Sequence, residues 1–308
     1  MTRRAAIDIG TNSVRLLVAD VPDAGQPGPA VRPVDRRLAI TRLGEGLHDG
    51  GIITTAAAAR TTAAVEEYVA RARALQAGGV TVAATYAVRA ARNPELLLSR
   101  LSVPVRILSG EEEAAAGFRG VVLGLAELDG GEPLVVLDVG GGSVEVTWGT
   151  ARRGIQGDRS LPVGSVVMTH RAIAHDPPLP AEISALADTL AAALDPVVVP
   201  LRGGRRLIGV GGTVTTLAAM AQRLTPYDPD RVHGYALTGG VVDELLETMC
   251  RAPLAERRRL PGLQPERADV IIAGTLAVRR VMASLRAGSI IASEADMLWA
   301  LVAAPPVR

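Results

Sequence analysis

"VLDVGGGSVEV", residues 136–146, carries an apolar run to one acid, Asp138, then turns through Gly140, Gly141, Gly142 and Ser143 before the apolar pattern resumes. "AIDIGTNSVRL", residues 6–16, has the same grammar: Asp8 matches Asp138, Gly10 matches Gly140, Ser13 matches Ser143 and Val14 matches Val144. Each stretch predicts strand, tight turn, strand. A plain hairpin does not need this composition, because three consecutive glycines weaken it by entropy. Phosphate handling does. Missing side chains let backbone N–H groups approach an anion closely, and an Asp at the lip can hold a hard divalent cation that bridges to the phosphate.

Working outward, the pattern of elements is also written twice. Residues 5–21 read as strand, turn, strand, followed by a Pro/Gly-rich loop, a strand near 34–43 and an Ala-rich helix over 55–76. Strands at 80–88 and 103–108 enclose a helix through "ARNPELLLSRL", and "SGEEEAAAGFRGVVLGL" opens a helix to about residue 126. After the turn "ELDGGEP" come strand, turn, strand, then helices at 181–194 and after Gly209–Thr213, and further helices near 239–250, 265–286 and 294–303. The expected architecture is α/β: two duplicated domains, residues 1–126 and 127–308, with a cleft between them. The third glycine turn, with Gly211, Gly212 and Thr213, precedes a helix whose N-terminal N–H groups offer another anion site.

Composition bounds the rest. With 308 residues, 48% apolar and 2% aromatic, the cores must be aliphatic, and a net charge of +1 argues against nucleic acid as a partner. The positive charge is carried by Arg without Lys, and Arg forks onto phosphate oxygens. One cysteine, Cys250, excludes an internal disulfide and a Cys-based zinc site. Histidines 48, 170, 175 and 233 show no metal spacing, and His233 is a candidate substrate contact. No apolar run approaching a membrane span and no leader-like start are read, so a cytoplasmic protein is expected.

The residues that choose the reaction lie in "ILSGEEEAAAGF". Ser109 and Glu112 fit a capping box, which occupies Glu112 structurally. Glu113, next on the helix, points about a quarter-turn away and is placed to orient and deprotonate a water for in-line attack on a terminal phosphate. Arg89 and Arg92 follow a strand, and one of them aimed at the cleft would neutralise charge on the phosphoryl group. Arg257, Arg258 and Arg259 read as a solvated helix face.

The stretches "AIDIGTNSVRLLV", "ATYAVRAARN", "SGEEEA", "VLDVGGGSVEV", "LPVGSV", "GVGGTVTTLAA" and "ERADVIIAG" resemble, in order and over nearly the whole chain, the exopolyphosphatase / guanosine pentaphosphate phosphohydrolase family of the actin-like (ribonuclease H-like) superfamily. The resemblance implies release of the terminal phosphate from polyphosphate, or of the 5′ γ-phosphate from guanosine pentaphosphate, with Mg²⁺. It maps the catalytic glutamate to Glu113, with Glu112 as fallback, and metal-associated positions to Asp138 and Glu145, with Asp8 third. Arg89 matches the phosphate-binding arginine, and Gly10, Thr11, Asn12, Ser13, Gly140, Gly141, Gly142 and Ser143 match the phosphate loops. Arg267 matches a motif arginine. The additional C-terminal helical domains of long members are not matched, and the tail "IIASEADMLWALVAA" lacks the glycine common near the family's end. An ATP-dependent small-molecule kinase and a non-catalytic polyphosphate or alarmone sensor are the alternatives, and a homodimer is left open.

Overall fold

The structure, a computed structural model, describes residues 1–22, 31–47, 50–125, 128 and 130–304. It divides into two units: Met1–Gly124 together with Asp296–Arg308, and Leu125–Ala295. His48, most of the Pro/Gly-rich loop and the expected domain boundary at 126/127 lie outside the described residues.

In the first unit, β1 (Thr2–Ile9), β2 (Ser13–Val21), β3 (Arg32–Ile40), β4 (Val80–Ala84) and β5 (Val105–Ile107) form one sheet in the order β3-β2-β1-β4-β5. β1 pairs antiparallel with β2 and parallel with β4. Successive side chains alternate faces. Ile7, Ile9, Val14 and Leu16 share a core with Val65, Tyr68 and Val69 of α1 (Thr55–Ala74), while Asp8 falls on the other face. Thr54 caps α1, its hydroxyl accepting from the Ala57 N–H at 3.1 Å. α2 (Tyr86–Ala90), α3 (Glu95–Leu98) and α4 (Gly110–Gly124) complete the contiguous part.

The second unit has β6 (Pro133–Val139), β7 (Val144–Thr150), β8 (Gly154–Leu161), β9 (Arg206–Val210), β10 (Ala236–Thr238) and β11 (Ser289–Ala292). Their order, β10-β11-β9-β6-β7-β8, repeats the first sheet with β10 added at one edge. Its helices are α5 (Ser165–Ala172), α6 (Pro180–Val198), α7 (Gly211–Ala221), α8 (Pro229–Val232), α9 (Gly239–Arg251), α10 (Leu254–Arg257) and α11 (Ile271–Leu285). Central-strand residues such as Ile7 and Ile9 in one unit, and Leu134 and Leu137 in the other, are fully buried. Each stabilises its unit by about 1.5–3 kcal/mol relative to exposure.

Several expectations need correcting. α12 (Met297–Ala303) packs against α4, β1 and β2, so the second domain does not run to residue 308. A Cβ on Gly120 of α4 would lie 1.7 Å from the Asp296 carbonyl oxygen, so the glycine makes that packing sterically feasible. Arg4 also donates to the carbonyls of Ala303 and Ala304 at 3.3 and 2.8 Å. The strand expected over 80–88 stops at Ala84, because the carbonyl of Thr85 accepts from Arg89 N–H in a helical turn. β10 and β11 have no counterpart among the expected elements, and α11 and α12 begin later than expected, at Ile271 and Met297.

The helical stretch Pro180–Leu201 has the length and composition to cross a membrane, with mean hydropathy 1.4, contrary to expectation. Its residues Leu186, Leu190, Leu194 and Val198 recur every fourth position and enter the second unit's core, as a core-facing stripe does.

Candidate active site

In the first unit the β1–β2 turn is closed by Gly10 N–H donating to the Ser13 carbonyl at 2.9 Å. The segment after β3 holds its carbonyls. Thr41 and Arg42 N–H groups both donate to Asn12 O at 3.0 Å, and Gly44 N–H donates to Thr11 O at 2.9 Å. Because a trans peptide directs its N–H opposite to its C=O, the N–H groups of Asn12 and Ser13 point away from that segment. Gly44 is required here, since its Cβ would meet Thr11 Cγ2 at 2.3 Å.

The β6–β7 turn of the second unit repeats the device. Gly140 N–H donates to Ser143 O at 3.0 Å, and the start of α5 takes the carbonyls. Ser165 N–H donates to Gly140 O at 2.9 Å, Val166 N–H to Gly141 O at 2.8 Å, and Gly164 N–H to Gly142 O at 3.2 Å. The N–H groups of Gly141, Gly142 and Ser143 are thereby turned the other way, as successive donors of an anion nest. A Cβ on Gly164 would lie 2.4–2.5 Å from this turn's backbone, so the "LPVGSV" glycine lets α5 reach the turn.

The acids differ between the turns. Asp138 is the cross-strand partner of Glu145, so both carboxylates project to one face. Glu145 is buried, and Ser160 donates to its Oε1 at 2.6 Å. Asp8 is instead the partner of Arg15, which donates to Asp8 Oδ2 through Nε at 3.0 Å and Nη2 at 2.6 Å. Arg15 Nη1 also pairs with Asp296. Burial pushes the Asp8 carboxyl above its ordinary range, the charge and hydrogen bonds of Arg15 pull it back, and the Asp296 charge adds to the rise. Asp8 Oδ1 is buried without a hydrogen-bond partner.

The third glycine loop joins the second unit's site. Gly211 has φ +83°, and a Cβ there would lie 2.4 Å from Asp138 Oδ1. On Gly212 it would meet Arg267 Nη1 at 1.9 Å. Arg267, whose role the sequence left unread, therefore lies over the N-terminus of α7, with its Nε donating to Gln264 Oε1 at 2.7 Å. Thr213 Oγ1 donates to Val139 O at 3.4 Å.

In the first unit the glutamates separate as expected. Glu112 Oε2 accepts from Ser109 N–H at 2.9 Å while Ser109 Oγ accepts from Glu112 N–H at 3.1 Å, which completes the capping box. Arg106 pairs with the same Glu112 carboxylate, and these bonds hold it below the ordinary carboxylate range. Glu113 points elsewhere and accepts from Arg89 Nη1 at 3.2 Å. Arg89 also donates to Leu108 O and lies against the Tyr86 ring.

Among the described residues no group of three or more His, Cys, Asp or Glu could hold a metal ion. The facing pair Asp138 and Glu145 nevertheless fits Mg²⁺, which takes one or two protein carboxylates and completes its shell with water and phosphate oxygens. Three further placements were not foreseen. Arg257 is buried at 4% exposure and pairs with Asp176 at 2.7 Å, so it is not part of a solvated face. His233 Nδ1 accepts from Glu294 N–H at 3.2 Å, and Tyr227 donates to the Glu294 carboxylate. The Arg15–Asp296 pair had one readable signal: Arg15 occupies the repeat position of Glu145 with the opposite charge.

A family model described as the Ppx/GppA phosphatase family matches residues 18–297. The chain belongs to that family. Exopolyphosphatase 2 of Mycobacterium tuberculosis is 35% identical to it over 297 residues, covering 93% of this chain and 92% of its own. A crystal structure of the Aquifex aeolicus Ppx/GppA member aligns with TM-score 0.80 at 28% identity, over 98% of this chain and 96% of that one. An exopolyphosphatase from Cytophaga hutchinsonii, 23% identical, matches the fold with TM-score 0.87 over 97% and 96% of the two chains. The Ppx/GppA fold, with its two duplicated units, is actin-like.

Proposed function

We propose that this chain is a phosphoanhydride hydrolase that releases the terminal phosphate of inorganic polyphosphate. Guanosine pentaphosphate, which ends in the same kind of bond, is a second substrate. The reading is carried chiefly by the second unit's turn, where three outward N–H groups adjoin a facing carboxylate pair and an Arg267-covered glycine loop. A run of anionic groups with a bound divalent cation matches that donor set.

In this mechanism the N–H groups of Asn12, Ser13, Gly141, Gly142 and Ser143, with Arg267 and the start of α7, bind phosphate oxygens. Glu113 accepts a proton from the water that attacks the terminal phosphorus. Arg89 orients Glu113 and neutralises charge on the departing phosphoryl group. Asp138 and Glu145 would hold Mg²⁺, which when bound would offset negative charge on the phosphate chain.

The test is phosphate release from short and long polyphosphate, guanosine pentaphosphate and ATP, with and without Mg²⁺. Wild type releases phosphate with Mg²⁺, Glu113→Gln loses roughly 10²–10⁴-fold, and Glu112→Gln stays near wild type. Loss in Glu112→Gln with retention in Glu113→Gln would reassign the base. ATP consumption that depends on an added acceptor would replace the hydrolase reading with a kinase.

A further inference from the structure

We infer that Gln264 is a positioning residue for phosphate binding, which holds the Arg267 guanidinium over the first turn of α7. The inference rests on the reading above, in which Arg267 and the start of α7 bind phosphate oxygens. Two features of one sign meet there. The N-terminus of a helix carries a partial positive charge, and a guanidinium is permanently cationic. Yet the Arg267 side chain lies so close to that end that a Cβ on Gly212 would fall 1.9 Å from Nη1, 2.4 Å from Cζ and 2.6 Å from Nη2. The two repel unless an anion lies between them, and a flexible arginine gains rotamer freedom by turning to water. A fixed contact is needed to keep it in place.

Gln264 grips Arg267 at both ends of the residue. Its backbone carbonyl accepts from Arg267 N–H at 2.9 Å, at the 3₁₀ turn Pro265–Arg267, where Pro265 presets the backbone. Its side-chain Oε1 accepts from Arg267 Nε at 2.7 Å. The amide must present its oxygen to that bond, because a guanidinium has donors only. Bonding at Nε fixes the guanidinium and leaves Nη1 and Nη2 beside Gly212, at the start of α7. The side chain's ordering entropy is therefore lost on folding rather than on binding, which strengthens the hold on an incoming phosphate.

The experiment uses Gln264→Met in the full chain, which keeps the length of the side chain and removes the acceptor. It is compared with Arg267→Ala and with the double variant. Tripolyphosphate binding is measured by titration calorimetry in EDTA, alongside Mg²⁺-supported phosphate release and the melting temperature. Expected for Gln264→Met is roughly three- to tenfold weaker binding, a matching rise in KM with kcat nearly unchanged, and little change in melting. Adding Gln264→Met to Arg267→Ala is expected to cause no further loss, because the two residues act as one unit. Equal binding by wild type and Gln264→Met, a loss just as large in the Arg267→Ala background, or a fall confined to melting temperature overturns the inference. So does a wild type that binds no tripolyphosphate. Binding by wild type without phosphate release when Mg²⁺ is supplied would sink the hydrolase reading alone.

Discussion

The β1–β2 and β6–β7 hairpins share a turn down to the bond from its first glycine to its serine carbonyl, 2.9 and 3.0 Å long. In both, a neighbouring segment grips the turn's carbonyls and so aims its N–H groups outward. They part at the residue facing the acid, which is Arg15 opposite Asp8 and Glu145 opposite Asp138. One backbone thus supports two electrostatic states: an ion pair shared with Asp296, and a pair of carboxylates suited to a cation. On the proposed reading, the outward N–H groups serve phosphate oxygens in both units, and the cross-strand residue sets whether the acid faces a cation or a guanidinium.

The comparison can be broken most forcefully at Arg15. Arg15→Glu would strip Asp8 and Asp296 of their buried counter-charge and set a third carboxylate beside them. It is expected to destabilise the protein by about 3–5 kcal/mol. Urea unfolding of the variant reads this, and wild-type stability would show that the ion pair does not organise the first hairpin. Glu145→Arg makes the second hairpin electrostatically like the first. Mg²⁺-dependent phosphate release should fall by roughly 10²-fold or more while circular dichroism is unchanged. Retained activity would detach the metal from the second hairpin.

A smaller effect is expected at the glycine loop that opens α7 in the second unit. Gly211→Ala places a Cβ against Asp138 at a left-handed φ and should cost about 1–2 kcal/mol in thermal unfolding. Smallest is a contrast along the first hairpin. Hydrogen bonds from Arg3, then Arg32, hold the Asp20 carboxyl down at about 2, whereas burial raises that of Asp8. A depressed carboxyl stabilises the fold above its unfolded value and loses that contribution as pH falls from about 4 towards 2. Asp20→Asn should therefore cost about 1 kcal/mol near neutrality, after solvent screening, and lose that difference in acid. Asp8 has the opposite sign: its raised folded value favours the fold at low pH, and the advantage disappears as pH rises through the folded value. Asp8→Asn should leave neutral-pH stability equal or higher. Denaturant titrations across that range check both signs.

Much of this was legible because the repeat is written in residue types with few other uses. Asp–x–Gly turns, the capping box of Ser109 and Glu112, and the divergence of Glu113 follow from local spacing, and the structure shows that geometry. What escaped depends on contacts distant in sequence. The segment at Thr41–Gly44 supports the first turn through backbone bonds, to which side-chain patterns are blind. α12 is apolar on the face that packs, but nothing in its pattern says which sheet receives it. Small Ala-rich strings such as "VTVAATYAV" fit strand and helix alike, so β4 was read too long. The place of Arg267 over Gly212 is a contact between residues 55 positions apart, which no local spacing encodes.

The central claim, that water is delivered to the terminal phosphorus, is tested most directly by turnover of polyphosphate in isotopically labelled water. Attack on the terminal phosphorus places the label in the released phosphate and leaves the shortened chain with its original bridging oxygen, which is the result predicted. Label in the shortened chain, with none in the released phosphate, would mean that the penultimate phosphorus is attacked and would contradict the account.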